Sequence, residues 1–186
     1  MAKLKKPHYV SNRDLYADLV TYNDKKDAAQ AVVEGTEEEP ELIPIPESVG
    51  AAILKITSRL ASRGNFAAYS YRDEMVSDAI ENCLAAVDNF NVKKYKNPFA
   101  YFTQISWYAF IRRIDKEKRQ SYLKIKNFKK TVAEEELNNI TMGYNPGGQA
   151  TDEVMDEFVK NYENSLQRKK KKKDETKGVD KFFVED

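Results

Sequence analysis

The sequence predicts an all-α fold: a compact helical bundle with flexible extensions at both ends. Three observations point there. Apolar residues recur at three- and four-residue spacing along several stretches. No segment alternates apolar and polar residues as a half-buried strand would. Segments rich in Pro, Gly or acid, such as EEEPELIPIPE and MGYNPGGQ, separate the periodic stretches. The 186 residues suffice for one domain with a modest core, since 33% are charged and 41% hydrophobic.

The first predicted helix spans residues 11–22, SNRDLYADLVTY, with Ser11 or Asn12 as N-cap and Leu15, Leu19 and Tyr22 on one face. Residues up to Pro46 read as an acidic, proline-bearing linker. A second helix starts near Pro46, which suits a first helical position, and runs to about Arg63, where Gly64 and Asn65 stop it. Val49, Ile53, Ile56 and Leu60 form its apolar face. A third helix runs from about Tyr71 to Asp88. Its buried stripe is Met75, Val76, Ala79, Ile80, Cys83, Leu84 and Val87, and Glu74, Ser77, Asp78, Glu81 and Asn82 lie opposite.

Pro98 then opens a helix to Arg119, after which the pattern restarts as QSYLKIKNFKKTVAEEEL. A last helix, TDEVMDEFVKNYENSL, follows with Thr151 or Asp152 as cap and acids in its first turn. RKKKKKDETKGVD reads as a solvated tether. The expected organisation is an N-terminal helix and linker over 1–45, a helical domain over 46–130, an acidic helical extension over 131–166, and a basic tether with an apolar end over 167–186.

The formal net charge of +1 conceals a strong asymmetry. Residues 91–130 hold 12 Lys or Arg against 2 acids, together with nine aromatics, whereas residues 131–166 hold one Lys against eight acids. Local fields of this kind select partners more than the total does.

Placed at 100° per residue, Phe99, Phe102, Ser106, Ala109 and Phe110 form one core-facing arc of the helix that Pro98 opens. Tyr101, Gln104, Tyr108 and Arg112 fall on the opposite side, and Trp107, Ile111 and Ile114 lie between. Rings beside cations suit unpaired nucleic acid. Each base offers a π-face worth about 1–3 kcal/mol in stacking, and cations neutralise phosphates. An intact duplex exposes no base faces, so the tyrosines favour an opened strand.

The pair of stretches YRDEMVSDAIENCLAAVDNF and KNPFAYFTQISWYAFIRRIDKEKR resembles the second conserved region of bacterial sigma factors. Ala86, Val87, Asp88 and Phe90 match the end of an acid-bearing helix, and Phe99 to Arg113 match the aromatic helix that follows. The small size, the KYKNP segment and the charged-hydrophobic C-terminus look most like the late-transcription sigma factors of T4-type bacteriophages. The specific part covers roughly residues 49–120.

The resemblance implies a fold like sigma region 2 and a set of roles. Glu74, Ser77, Asp78 and Glu81 would dock on the clamp helices of the largest subunit of host RNA polymerase. Tyr101, Gln104, Trp107, Tyr108, Arg112 and Arg113 would face promoter DNA, recognising a −10-like element and holding its non-template strand, with Lys93, Lys94 and Lys96 near phosphates. Primary sigma factors carry paired tryptophans in this helix. Here the aligned places hold Ile105 and Ser106, and Trp107 stands one step on. No convincing helix-turn-helix for a −35 element follows residue 120, and the acidic 131–166 segment would repel duplex DNA.

The C-terminus VDKFFVED places Phe182, Phe183 and Val184 among acids, after a polar segment. Such an end suits insertion into a partner pocket. In late phage sigma factors it binds the replication sliding clamp, and a tethered second contact raises effective concentration. The Lys run at 168–173 reads as a self-repelling spacer or as a phosphate contact.

Enzyme chemistry is not expected. His8 is the only histidine, Cys83 lies on an apolar stripe, and neither a Gly-rich phosphate loop nor metal-ligand spacing occurs. No cofactor, metal or small-molecule substrate is expected. One cysteine and no signal core or span of about 20 apolar residues predict residence in the cytoplasm where the protein is made, with no membrane partner, and the resemblance implies that this is the cytoplasm of an infected bacterial host. The rival readings are a helical nucleic-acid-binding adaptor with no polymerase partner, and a structural bundle that hides its surplus aromatics in a homodimer.

Overall fold

The computed structural model describes residues 9–33, 42–141 and 152–179, with side chains at 9–33, 42–133 and 153–171. Every regular element among the described residues is helical. The chain divides into two compact units, residues 1–114 and 115–186.

The first unit is built from α1 (Asn12–Val33), α2 (Glu47–Ala61), the short α3 (Gly64–Ala67), α4 (Arg72–Ala85), a 3₁₀ turn (Val87–Asn89) and the beginning of α5 (Pro98–Thr141). Its core has two clusters. In one, Leu15, Leu19 and Tyr22 of α1 meet Val49, Ile53 and Ile56 of α2, with Cys83, Val87, Phe90 and Phe102. In the other, Leu60, Phe66, Met75 and Ala79 surround Ala109, Phe110 and Ile114. Fully burying one of these large side chains contributes about 1.5–3 kcal/mol.

The expected stripes of α1 and α2 are buried as the spacing predicted. The α4 stripe is buried at Met75, Ala79, Cys83 and Val87, but Leu84 is exposed, on the flank of the helix.

Several boundaries differ from the sequence expectation. Helix α1 runs past Tyr22 to Val33, through a stretch read as linker. Its added turns contribute no buried residue, so no apolar stripe announced them; Ala28, Ala29 and Ala31 supply helix propensity instead. Pro46 stands just before α2 with ψ 139°, an extended conformation, so Glu47 is the first helical residue. Helix α2 ends at Ala61, with Ser62 as its C-cap, so Gly64 and Asn65 do not stop it but open α3, which buries Phe66. The third predicted helix stops at Ala85 and tightens into the 3₁₀ turn that carries Asp88.

The largest correction is α5, one helix of 44 residues with no break after Arg119. The Lys run is also helical rather than a tether, because α6 spans Asp152–Val179.

The second unit pairs the later turns of α5 with α6. The Tyr122 and Tyr162 rings stack at 4.7 Å. The Tyr122 hydroxyl donates to Glu163 at 2.8 Å, and Lys126 lies 3.1 Å from the same carboxylate. Tyr122 and then Lys126 hold the Glu163 carboxyl below its usual range. Lys129 pairs with Asp156, and Lys169 with Asp115 at 2.9 Å. As the α5 partner number rises from 115 to 129, the α6 partner falls from 169 to 156, so the two helices run antiparallel. Tyr122, Ile125, Lys129 and Val132 on α5, and Met155, Phe158, Val159, Tyr162 and Glu163 on α6, are among their half-buried positions. On α5 the spacing alternates three and four, that of a coiled-coil seam, and on α6 Met155, Val159 and Tyr162 keep the same spacing. Asp156 and Glu163, part of the acidic segment expected to repel DNA, are thus neutralised by α5 lysines.

Candidate nucleic-acid interface

The beginning of α5 is fixed by two asparagines. Asn97 accepts the Ala100 N–H at 3.0 Å, as an N-cap does, and Pro98 follows at the first helical position. Asn12 of α1 accepts the Phe99 N–H at 3.1 Å through its carbonyl and donates through its amide to the Lys96 carbonyl at 3.2 Å. The loop before α5 is held at further points. Asn91 Oδ1 accepts the N–H groups of Lys93 and Lys94 at 3.0 Å each, and the Tyr16 hydroxyl donates to the Val92 carbonyl at 2.9 Å. Lys93, Lys94 and Lys96 are therefore exposed cations on a loop tied down by its neighbours.

Between this loop and the first turns of α5 lies a concavity of about 660 Å³, lined by Phe90, Lys94, Tyr95, Lys96, Tyr101 and Gln104, among others. Lys94 Nζ sits 5.2 Å from the centre of the Tyr95 ring. Tyr95 is 51% exposed and was not among the residues singled out from sequence. Its signal was present: an aromatic flanked by lysines, the same pattern that marked α5.

Four residues were expected on the outer face of α5. Gln104, Tyr108 and Arg112 are exposed, with Tyr108 at 54%. Tyr101 is half-buried instead. Its ring packs against Phe90 at 5.1 Å and Phe102 at 5.3 Å, and its hydroxyl donates to the Ala86 carbonyl at 3.0 Å. Burial raises its hydroxyl pKa above the ordinary value. The 3₁₀ turn after α4 brings Phe90 and Ala86 over this tyrosine, a tertiary contact that helical angle does not register.

Trp107 is 37% exposed and meets Phe66 edge-on at 4.9 Å. Ile105 is half-buried, and Ser106 is fully buried against Cys83, whose sulfur lies 3.4 Å from its hydroxyl. Ile105 and Ser106 therefore turn inward, while Trp107 reaches the surface. Burial raises the Cys83 thiol above its usual pKa, so it stays protonated as a packing residue.

The acid-bearing face of α4 splits. Glu74, Ser77 and Glu81 are exposed. Asp78 is half-buried and lies 3.2 Å from Arg113 Nε. Arg112 Nη2 donates to Asn82 Oδ1 at 2.7 Å. One residue expected at polymerase and one expected at DNA are thus joined to each other. Among residues with described side chains, no cluster of His, Cys, Asp or Glu could hold a metal, and no described helix is long and apolar enough to cross a membrane. His8 and the apolar triplet Phe182, Phe183 and Val184 lie outside the described residues.

The arrangement offers flat rings, a hydrogen-bonding amide and cations around one opening. Tyr95 and Tyr108 can stack on bases. Gln104 can read a base edge, and Lys94 and Lys96 can neutralise the adjoining phosphates. No known protein-family model matches the chain, and no curated protein matches its sequence significantly.

Proposed function

We propose that this protein is a sigma-type initiation factor that docks on host bacterial core RNA polymerase and holds open the non-template strand of a −10-like promoter element. The observation that carries the reading is the concavity between the 91–97 loop and α5, where Lys94, Tyr95, Lys96 and Gln104 converge. Beside it, Tyr108 leaves half of its surface open to a base. Glu74, Ser77 and Glu81 form the polymerase-docking face on α4. Phe182, Phe183 and Val184 insert into the replication sliding clamp, which stimulates initiation at late phage genes in the host cytoplasm.

Purified core polymerase pulled down with the full chain tests the docking half. Retention that is lost in a Glu74→Lys, Glu81→Lys variant supports it, and retention by that variant overturns it. Clamp stimulation that disappears in Phe182→Ala, Phe183→Ala, with basal initiation intact, supports the C-terminal contact. An equal clamp response in both proteins removes it.

A nucleic-acid adaptor without polymerase is the second reading. It is favoured by the Asp78–Arg113 pair, which uses part of the acid face inside the fold. Binding to an opened strand with no retention on polymerase would select it.

A further inference from the structure

The Lys run has a setting that its sequence did not disclose. It continues α6 as helix, and the antiparallel pairing sets residues 162–169 alongside residues 115–119 of α5, with Lys169 on Asp115 and Lys170 and Lys171 in the turn that follows. Seven cations therefore share one end of the hairpin: Lys116, Lys118, Arg119, Arg168, Lys169, Lys170 and Lys171, against Asp115 and Glu117. A groove of about 410 Å³ opens between the two helices there, lined by Lys116, Lys118, Arg119, Tyr162, Leu166 and Lys169, among others.

From this we infer that the basic end of the α5–α6 hairpin is a second nucleic-acid surface, one that grips the phosphate backbone of intact duplex DNA. Successive lysines in a helix repel one another at three- and four-residue spacing, which weakens the helix unless a polyanion neutralises them. A neutral spacer would avoid that cost.

The groove favours duplex over single strand by the chemistry it lacks. Its aromatic, Tyr162, is half-buried with one face stacked on Tyr122, which leaves it less to offer a base than the exposed Tyr95 and Tyr108. Phosphates need only positive charge within reach. An acidic protein segment is the less apt partner, because tight peptide sites use aromatic or apolar anchors seated in pockets. Here the apolar lining is Leu166 beside a ring already in use.

The test uses the full chain with Lys116, Lys118, Lys170 and Lys171 changed together to Gln. Lys169 stays, because it pairs with Asp115. Binding to a fully paired, promoter-free duplex is followed by fluorescence anisotropy at several salt concentrations. Each lost phosphate contact lowers the slope of log affinity against log salt by about 0.9, so the fourfold variant should lose a slope of up to about 3.6 and bind at least tenfold more weakly at low salt. The same four positions changed to Arg should restore both. Unchanged duplex affinity and slope overturn the inference. Polyglutamate that binds the native chain as tightly as duplex, and loses binding in the Gln variant, overturns it in favour of an acidic protein.

Tyr108→Ala keeps the two surfaces distinguishable. It should spare duplex affinity even if the opened-strand reading fails, and the Gln variant should keep whatever preference for opened over paired DNA the native chain has.

Discussion

Arg113 lies 3.2 Å from the carboxylate of Asp78, so one ion pair ties the acid-bearing helix α4 to the aromatic helix α5. The Arg113 side chain is only 15% exposed, which makes it more than a surface pair. Removing Asp78 would leave a guanidinium poorly solvated. Asp78→Ala should therefore destabilise the fold by about 1–3 kcal/mol, less than the 3–5 typical of a fully buried pair. Glu74→Lys with Glu81→Lys, on the exposed part of the same face, should change stability by less than about 0.5 kcal/mol per site. Urea denaturation separates the two cases. Equal stability of Asp78→Ala and the native chain would show that the pair contributes nothing, and Asp78 would return to the docking face.

Tyr108 and Tyr101 divide what appeared as one role. Tyr108 is exposed and can stack without disturbing the fold, whereas the Tyr101 ring and hydroxyl are both engaged within it. Tyr108→Ala should weaken binding to a duplex with an unpaired bubble by about 5- to 100-fold, the equivalent of one lost stacking contact. Its thermal midpoint should stay near native. Tyr101→Phe should cost about 1 kcal/mol of stability through its lost hydrogen bond and leave bubble binding near native. Permanganate reactivity in the opened region should fall for Tyr108→Ala. Unchanged reactivity would remove Tyr108 from strand opening.

The core of the first unit was legible because its helices bury one stripe each: Leu15, Leu19 and Tyr22 on α1, and Val49, Ile53, Ile56 and Leu60 on α2. Less legible were residues whose fate depends on a distant partner. The half-buried state of Tyr101 comes from Phe90, and the use of Asp78 from Arg113, contacts that no helical angle encodes. The hairpin was missed for the same reason. Tyr122, Ile125, Lys129 and Val132 show the right spacing, but their partners lie on α6, and local charge suggested an acidic helical extension followed by a solvated tether. Asp156 and Glu163 are there to meet Lys129 and Lys126. Tyr95 was passed over because it sits on a loop, outside any helical pattern.

Asn12 links the first helix to the interface. Its amide bridges the Lys96 carbonyl and the Phe99 N–H, closing the loop against the start of α5. Both bonds go to backbone groups, so it acts by positioning the side chains that line the concavity. Asn12→Ala should lower stability by about 1–2 kcal/mol, as loss of a capping contact does, and should weaken bubble binding more than duplex binding. Asn12→Asp should recover the Phe99 contact but not the Lys96 one, leaving an intermediate bubble affinity. Equal losses for bubble and duplex in Asn12→Ala would reduce Asn12 to a purely structural role.

The Tyr22–Asp88–Lys26 cluster predicts how stability depends on pH at both extremes. The Tyr22 hydroxyl donates to Asp88 at 2.9 Å, and Lys26 lies 2.9 Å from the same oxygen. Lys26 and then Tyr22 hold the Asp88 carboxyl below its ordinary value, against the opposing effect of partial burial. A depressed carboxylate contributes stability that is present above its unfolded value of about 3.9 and is lost as pH falls through the lower folded value. Tyr22 is pushed the other way, up to about 12, first by burial and then by Asp88. Its contribution is complete below an unfolded value of about 10 and disappears as pH climbs from there toward the folded one. Tyr22→Phe keeps the buried ring and removes the ionisable hydroxyl. It should cost about 1 kcal/mol at neutral pH and flatten the decline above pH 10. Lys26→Met should instead reduce the dependence on the acid side. Urea midpoints between pH 3 and 11 resolve both, and an alkaline decline of the same steepness in native and Tyr22→Phe proteins would assign that decline to other groups.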